Sequence, residues 1–254
     1  MTRWIPHPSR LTEAMEHSII QWNVRGFQAN FEELALLSRR YKPAVFGLQE
    51  TFLTSSKTPS FSGFNILTKN SLNDRATGGV ALLINKSYLF SEVYLNTLSQ
   101  AVAARVTLNK VVTFCSIYLP PSDHVAKTDL IKLKIQLPSP FVLLGDFNGH
   151  SPVWGNESYN SRGQMLEDLF SEMDLCILND GSSTYIHPAT GSTSALDLSI
   201  CGPSMVLDCE WTIHEELCES DHFPATLSKR KLHLTGGILK RQTGCPSKFS
   251  VPVN

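Results

Sequence analysis

Short apolar segments with the pattern of β-strands recur along the chain and outnumber the helical patterns. Strands are predicted at residues 18–24, 44–49, 64–68, 79–84, 101–108, 111–119, 141–144, 175–178, 196–201, 206–213 and 223–227. Apolar residues at helical spacing predict helices over 27–40 and 163–173, and Asp123 is expected to cap a third helix that runs to about residue 137. Many strands, few helices and no repeat favour an α+β fold, with two packed sheets and the helices outside.

The composition excludes several classes of protein. Hydrophobic residues make up 42% of the 254 residues, which is enough for a large core. No apolar run approaches the ~20 residues of a membrane-spanning helix. The N-terminus has no apolar segment typical of a signal peptide, so we expect an intracellular protein, nuclear or cytoplasmic, that is neither secreted nor bound to a membrane. Six scattered cysteines without a C-x-x-C pair indicate free buried thiols and no disulfide-linked partner.

Charge is distributed unevenly along the chain. The whole chain carries 22 basic and 23 acidic residues, but the last 26 residues hold six of the basic ones and no acidic one. Residues 1–228 therefore have a balance of −7, so contact with phosphates there requires a metal ion or a local basic patch. We expect an N-terminal extension at residues 1–17, one domain at 18–228 and a loose basic tail at 229–254.

Several polar residues stand where a predicted strand ends or begins. They are Asn23, Glu50, Tyr118, Asp146, Asn148, Asp197, Asp221 and His222. Each one alone is typical of a turn or a solvated strand end. Together they offer carboxylate and amide oxygens, which suit Mg²⁺, and a natural acid or base in His222, whose tautomer Asp197 could set. This set favours metal-assisted hydrolysis of a phosphate ester.

These residues lie in six motifs that follow one another along the chain. The motifs are QWNVRG at 21–26, LQE at 48–50, IYLPP at 117–121, GDFN at 145–148, LDL at 196–198 and SDH at 220–222. Through them, residues 18–228 resemble the endonuclease/exonuclease/phosphatase superfamily. The resemblance implies a DNase I-like four-layer α/β sandwich, in which two packed mixed β-sheets are flanked by helices and the site lies at one rim of the sheets.

The resemblance also implies which residues serve the metal and the water. Glu50 would bind the divalent metal, with Asn23 and Asp221 nearby. Asp146 would position or deprotonate the attacking water, and Asn148 would orient it.

The GDFN motif carries a geometric expectation of its own. Asp146 and Asn148 follow an apolar strand, and Phe147 lies between them. In extended backbone, residues two apart point the same way. The carboxylate and the amide are therefore expected to converge on one water while Phe147 turns towards the core.

The remaining three of the eight polar residues would act on the phosphate. The resemblance implies that His222, held by Asp197, contacts the scissile phosphate and that Tyr118 stabilises the charged transition state. Tyr118 also bears on the branch of the superfamily. The IYLPP motif is similar to the apurinic-endonuclease and retrotransposon-endonuclease branch, whereas the DNase I and sphingomyelinase branches place a His there.

Three longer segments are similar to the apurinic-type endonuclease of non-LTR (jockey- or LINE-like) retrotransposons. They are GDFNGHSPVWG at 145–155, NSRGQMLEDL at 160–169 and TGGVALLI at 77–84. DNA contacts are assigned to Arg25, His150, Arg162 and Ser194. Arg162 and the glycine after it could also mark only the start of a helix, but the three segments together, in this order, favour the retrotransposon endonucleases. Arg25, Ser194 and Pro121 stand where repair enzymes carry an acid, an aromatic residue and an Asn, and these departures disfavour a repair enzyme.

The sequence thus predicts an endonuclease that depends on Mg²⁺, with Mn²⁺ as a substitute, and that nicks one DNA strand to leave a 3′-hydroxyl at a retrotransposition target site. We expect a monomer, with no reverse transcriptase domain in this chain. Two alternatives stay open. One is a phosphoesterase of the same fold that acts on apurinic sites, RNA or a small phosphoester. The other is an inactive, truncated remnant that at most binds nucleic acid.

Overall fold

The computed structural model describes residues 17–56, 59–71 and 76–230. Its strands in chain order are β1 (Ile19–Asn23), β2 (Val45–Gln49), β3 (Phe64–Lys69), β4 (Val80–Asn85), β5 (Phe90–Val93), β6 (Gln100–Thr107), β7 (Val111–Tyr118), β8 (Phe141–Asp146), β9 (Cys176–Ile177), β10 (Tyr185–Ile186), β11 (Thr193–Ser194), β12 (Asp197–Cys201), β13 (Cys209–Ile213) and β14 (Ala225–Lys229). The α-helices are α1 (Phe31–Tyr41), α2 (Lys127–Ile135) and α3 (Ser161–Glu172), and one turn of 3₁₀ helix covers Pro152–Trp154.

The strands form two six-stranded sheets and a short ribbon. The first sheet has the order β13-β14-β1-β2-β4-β3 and the second the order β5-β6-β7-β8-β12-β9, while β10 and β11 pair separately. Strands β1 and β2 are parallel in the first sheet, as are β7 and β8 in the second, and the other pairs are antiparallel. Both sheets are therefore mixed, as expected.

The two sheets pack face to face, and the helices cover their outer faces. Leu82 of β4 and Leu144 of β8 lie in the core between the sheets. Leu34 of α1 packs on the outer face of the first sheet, and Leu133 of α2 and Leu166 of α3 pack on the outer face of the second. The order helix, sheet, sheet, helix is the predicted four-layer α/β sandwich, which is confirmed.

Burial of the central strands on both faces explains their unbroken apolar sequences. In β2, Val45 contributes to the core between the sheets, and its neighbour Phe46 contributes to the core under α1. In β7, Phe114 and Cys115 divide in the same way between the inner core and the core under α2 and α3. Because successive side chains of a strand point to opposite faces, a strand with two buried faces needs apolar residues throughout.

The helices begin later or earlier than their patterns predicted. Helix α1 begins at Phe31 and not at residue 27, because Phe27 to Asn30 form a turn in which Phe27 is fully buried. The prediction that Asp123 caps the helix that runs to about residue 137 is wrong. Helix α2 begins at Lys127 without a side-chain cap, and Asp123 lies in the preceding loop. Helix α3 begins at Ser161, two residues before the predicted start.

Some predicted features fall partly outside the described residues. Residues 1–16 of the expected extension and 231–254 of the expected tail lie outside them, so these boundaries stay predictions. Strand β14 continues to Lys229, and the backbone N–H of Arg230 donates to the Asp208 carbonyl at 2.9 Å. Strands β5, β10 and β11 were not anticipated. Among the described helices, none is long and apolar enough to cross a membrane.

Candidate active site

The topology of the two sheets brings the polar strand ends to one rim. Asn23 and Gln49 are partners at the ends of the parallel strands β1 and β2, and Glu50 follows Gln49 directly. Tyr118 and Asp146 are partners at the ends of the parallel strands β7 and β8. The carboxyl ends of parallel strands share an edge, so these side chains meet where the two sheets face each other.

Antiparallel neighbours complete the rim. Strand β12 runs against β8, and its first residue, Asp197, is the register partner of Asp146. Strand β14 runs against β1, and His222 lies just before its start. The structure thus brings together, at one place, residues that are far apart in the chain.

His222 and Asp197 form a buried ion pair. The Nδ1 atom of His222 lies 2.7 Å from Oδ2 of Asp197, and both side chains are almost fully buried. Burial alone would lower the pKa of the His222 imidazole, but the Asp197 carboxylate and its hydrogen bond raise it to about 9. The other ring nitrogen, Nε2, is therefore a cationic donor at neutral pH, which is the form that would stabilise an anionic phosphate.

Neighbouring polar groups hold this pair in place through the backbone. The Ser220 hydroxyl donates to the Asn23 carbonyl at 2.9 Å and accepts the backbone N–H of His222 at 3.2 Å. The Trp22 indole donates to the His222 carbonyl at 2.9 Å. The Thr184 hydroxyl oxygen accepts the backbone N–H of Asp197 at 3.0 Å. Such fixed supports keep the imidazole and the carboxylate in one geometry.

Asp146 is the most strongly perturbed carboxylate of the site. It is 1% exposed, and burial, followed by the nearby Asp197 carboxylate, raises its pKa to about 7. The amide of Asn23 donates to its Oδ2 at 2.9 Å, and this hydrogen bond and His222 act in the opposite direction. A carboxylate with a pKa near neutrality is suited to accept a proton from water.

Glu50 and Tyr118 lie beside Asp146. The amide nitrogen of Asn23 donates to Oε1 of Glu50 at 3.1 Å, so Asn23 joins the carboxylates of Glu50 and Asp146. Glu50 has φ of 48°, a left-handed conformation at the end of β2. Burial, together with Glu50 and Asp146, raises the pKa of the Tyr118 phenol far above its usual range. Tyr118 therefore keeps its proton and is a neutral hydrogen-bond donor.

The residues of the rim fit a divalent cation. A carboxylate oxygen of Asp146, a carboxylate oxygen of Asp197 and a ring nitrogen of His222 lie within 4.8 Å of one another. The two carboxylates can serve as ligands, whereas the His222 imidazolium has no free lone pair for a metal. The Oδ1 atom of Asp197 is buried and has no hydrogen-bond partner among the described residues. Carboxylate oxygens are hard ligands, and a cation would offset the repulsion that raises the pKa of Asp146.

Asp221 and Arg25 form an ion pair at the edge of the site. The Arg25 guanidinium donates to Oδ2 of Asp221 at 2.7 Å, and the side chains are 52% and 15% exposed. Arg25 has φ of 45°, and its backbone N–H donates to the side-chain oxygen of Asn23 at 3.2 Å. Arg25 thus partly balances the charge of Asp221, which was predicted to lie near the metal.

The extended geometry expected for the GDFN motif is wrong at one residue. Phe147 is buried as predicted, but Asn148 has φ of 49°, so the chain turns there and does not continue as a strand. Its backbone N–H donates to Oδ1 of Asp146 at 3.1 Å, and its side-chain nitrogen donates to the Leu119 carbonyl at 3.2 Å. The turn at Asn148 brings its backbone N–H to the Asp146 carboxylate. The two residues are therefore in contact, although the backbone between them is not extended.

The other residues predicted to contact DNA are Ser194, His150 and Arg162, and their surroundings differ. Ser194 of β11 is the register partner of Tyr185, whose ring packs against the His222 ring with 4.8 Å between centroids. His150 is partly buried, and burial lowers the pKa of its imidazole. The Arg162 guanidinium contacts backbone carbonyl oxygens of two loops.

Sequence reasoning missed two residues that shape the site. The Tyr185 ring contacts the His222 ring at a tilt of 52°, and the two residues form an isolated β-bridge. Thr184 is fully buried and binds the backbone of both Leu196 and Asp197. The segment around them has only a two-residue strand and no long apolar run, so periodicity carried no signal there. Their roles depend on a ribbon that folds back over the rim.

Several known proteins are similar to this chain in sequence. Residues 112–226 match a family model described as Endonuclease-reverse transcriptase. The probable RNA-directed DNA polymerase from transposon X-element of Drosophila melanogaster is 26% identical over 216 residues, 83% of this chain and 24% of that protein. The RNA-directed DNA polymerase from mobile element jockey of Drosophila melanogaster is 28% identical over 209 residues, 80% of this chain and 22% of that protein. The chain thus spans about a quarter of the length of these relatives.

Solved structures share the fold. The endonuclease domain of TRAS1, a telomere-specific non-LTR retrotransposon, superposes with a TM-score of 0.71 at 23% identity, covering 85% of this chain and all of that domain. An AP endonuclease from Archaeoglobus fulgidus superposes with a TM-score of 0.67 at 15% identity, covering 84% of this chain and 99% of that one. The resemblance to the superfamily and to its retrotransposon branch is confirmed.

Proposed function

We propose that this chain, which is similar to the endonucleases of non-LTR retrotransposons, is a divalent-metal-dependent endonuclease that hydrolyses a DNA phosphodiester bond and leaves a 3′-hydroxyl. The observation that carries the proposal is one rim where a buried imidazole–carboxylate pair, His222 and Asp197, lies beside Asp146. Target-site nicking in retrotransposition is the proposed role, and the nucleus is the compartment in which that DNA is found.

Each residue of the site has a separate proposed role in hydrolysis. Asp146, with its pKa near 7, accepts the proton of the attacking water, and Asn148 orients that water. The His222 imidazolium donates from Nε2 to a nonbridging phosphate oxygen. The Tyr118 phenol, which stays protonated, donates to the charge that develops in the transition state. Placement of groups supplies much of the rate in phosphoryl transfer.

Mg²⁺, or Mn²⁺ in its place, is the proposed cofactor. Glu50 is the proposed main ligand, Asn23 donates to its carboxylate, and Asp221 is proposed to lie near the metal. When bound, the cation neutralises negative charge on the phosphate and on the leaving oxygen. Asn23 holds the carboxylates of Glu50 and Asp146 close together, so the charge that a cation would balance is already concentrated there.

The proposed substrate and oligomeric state rest on the same geometry. All proposed catalytic groups come from one chain and one rim, so a monomer suffices. A DNA backbone would lie across this rim, with Arg25, His150 and Ser194 as proposed contacts at its border. The reverse transcriptase that extends the nicked end is proposed to lie outside this sequence.

Plasmid nicking tests the proposal. Supercoiled plasmid is incubated with the protein and Mg²⁺, Mn²⁺ or EDTA, and the Asp146→Asn variant is compared with Asp168→Asn on the exposed face of α3. Loss of a general base typically costs ~10²–10⁴-fold. Nicking is expected to require metal, to fall by at least that factor in Asp146→Asn and to persist in Asp168→Asn. Equal nicking by wild type and Asp146→Asn would contradict it.

Product analysis separates the alternatives. A nick with a 3′-hydroxyl can be extended by a DNA polymerase without prior phosphatase treatment, so direct extension is expected. Cleavage confined to abasic oligonucleotides or to RNA, or phosphate release from a small phosphoester, would instead indicate the other phosphoesterases of this fold. A folded protein that binds DNA but cleaves none of these would be a remnant.

A further inference from the structure

Arg162 joins two loops of the active site through backbone carbonyl groups. It lies in the first turn of α3, and its NH1 atom donates to the carbonyls of Leu119 at 2.9 Å and Phe147 at 3.3 Å. Its NH2 atom donates to the carbonyls of Pro120 at 2.9 Å and Asp123 at 2.6 Å. One loop begins directly after Tyr118, and the other begins directly after Asp146.

The two loops meet at one shared acceptor. The Leu119 carbonyl accepts from Arg162 and also from the side-chain nitrogen of Asn148 at 3.2 Å. The backbone N–H of Leu119 donates to the Asp146 carbonyl at 3.0 Å, which is the last bond of the ladder between β7 and β8. Beyond that bond the strands have ended, and Arg162 together with the Asn148–Leu119 hydrogen bond joins the continuing segments.

The residues beside Arg162 bind the same loop. The Asn160 side-chain oxygen accepts the N–H of Gly163 at 2.7 Å and of His150 at 3.0 Å, and its nitrogen donates to the Asn148 carbonyl at 3.2 Å. A Cβ atom at Gly163 would lie 1.8 Å from the His150 carbonyl oxygen. Only glycine permits this approach, so the start of α3 is built against residues 148–150.

The contacts of Arg162 use the particular shape of its side chain. A guanidinium is a planar group with five N–H donors, and one such group can reach carbonyls on two sides. A lysine ammonium is a single point with three donors and cannot span both loops in the same way. The Arg162 side chain is partly buried, and its two terminal nitrogens are directed at the carbonyl oxygens of the two loops.

We propose that Arg162 is a positioning residue for the reaction, which fixes Asn148 and Tyr118 relative to Asp146, and not a DNA contact. This proposal rests on the proposed endonuclease function. It replaces the assignment of Arg162 to DNA, because four backbone acceptors engage the two guanidinium nitrogens that would meet a phosphate.

Steady-state nicking of an oligonucleotide duplex by Arg162→Lys gives the main test. Misplacement of a reacting group by about 1 Å can cost ~10²-fold. We expect kcat to fall by about 10- to 100-fold while KM and the salt dependence of KM stay at the wild-type values. Arg105→Lys, at an exposed position of β6, is the matched control and should leave both constants unchanged.

A double-mutant cycle adds a second requirement. If Arg162 acts through the Asn148 loop, Asn148→Ala already removes part of what Arg162 supports. The loss of kcat in Arg162→Lys/Asn148→Ala should then be smaller than the product of the two single losses. Multiplicative losses would contradict action through Asn148 and overturn this part of the mechanism.

A phosphate contact would produce the opposite pattern. Lysine retains the charge, so Arg162→Lys would keep near-wild-type kcat, and Arg162→Gln would raise KM and reduce the salt slope by about one. That result would overturn the proposal. Arg162→Gln also keeps a planar donor and serves for the kcat test if thermal unfolding shows that Arg162→Lys does not fold.

Hydrogen–deuterium exchange provides a readout that does not need activity. Amides of residues 119–125 and 147–151 should exchange faster in Arg162→Lys than in wild type, while those of β1 and β2 should not change. Unchanged exchange in both loops would refute the positioning role. If wild type does not nick DNA but the loops loosen, then the endonuclease proposal fails and the loop-fixing role of Arg162 stands.

Discussion

Replacement of Asp197 by Asn should remove the charge that keeps His222 protonated. The two side chains are 2.7 Å apart and almost fully buried, so little solvent screens them. The introduced amide would retain the shape and a hydrogen-bond acceptor but not the negative charge. The imidazolium would then be buried with less compensation, and burial favours the neutral form.

The magnitude follows from the pKa of His222. A rise from 6.5 to about 9 corresponds to about 3 kcal/mol in favour of the imidazolium, at about 1.4 kcal/mol per pKa unit. Asp197 supplies the largest favourable contribution, and Asp146 and Asp221 supply smaller ones. Because burial lowers the pKa of the imidazole, we expect the His222 pKa to fall from about 9 towards or below 6.5 in Asp197→Asn.

The stability of the protein should change with pH in a defined direction. Because the folded-state pKa of His222 lies above its unfolded value, this stabilisation is fully present below about pH 6.5 and is lost as pH rises through about 9. The stability deficit of Asp197→Asn relative to wild type should thus be largest at or below pH 6.5. It should shrink as the pH approaches 9, as measured by chemical denaturation.

NMR titration of the imidazole nitrogens measures the pKa itself. The chain contains eight histidines, and loss of a signal in His222→Asn assigns the resonance. Asp168→Asn, on the exposed face of α3, is the control for a carboxylate removed elsewhere. An identical His222 titration in wild type and Asp197→Asn would refute the reasoning and remove Asp197 from its role.

Three further outcomes are expected. The pH profile of kcat/KM should rise through about 7, as Asp146 loses its proton, and fall through about 9, as His222 loses its own; a flat profile between 6 and 10 would exclude these groups. Bound metal should move the acidic limb of this pH profile to lower pH. Glu50→Gln should raise the Mg²⁺ concentration for half-maximal nicking by about tenfold. Calorimetric titration with Mn²⁺ should show a similar loss of metal affinity. Unchanged metal affinity would mean that the metal binds elsewhere. Gly163→Ala should lower the free energy of unfolding by about 1–3 kcal/mol, since its Cβ would collide with the His150 carbonyl. Unchanged thermal unfolding would mean that this contact relaxes without cost.

Much of the sandwich could be read from local patterns. Apolar runs such as 44–49 and 111–119 became β2 and β7, because strands buried on both faces require apolar side chains at every position. The residues of the site could also be named, since acids, amides and a histidine followed or preceded these strands. Short strands such as β5 and β10 escaped prediction because two to four residues carry too little periodicity.

Local reasoning failed where the backbone leaves the strand. The expectation for the GDFN motif assumed extended geometry, but Asn148 adopts a left-handed conformation and binds both Asp146 and Leu119. Asp123 looked like a helix cap, yet its carbonyl is a partner of Arg162. In both cases one contact comes from a residue distant in the chain, Leu119 for Asn148 and Arg162 for Asp123, and no local segment of sequence contains it.

The chemical identity of the site was therefore a property of the sequence, because a carboxylate or an imidazole keeps its chemistry wherever it lies. The protonation equilibria of the site were a property of the tertiary structure. The pKa values of Asp146 and His222 depend on burial and on charges brought close by the pairing of β8 with β12 and of β1 with β14. The proposed role of Arg162 differs from the predicted one for the same reason. A basic side chain suggests a phosphate contact, but in the folded chain its guanidinium donates to backbone carbonyls.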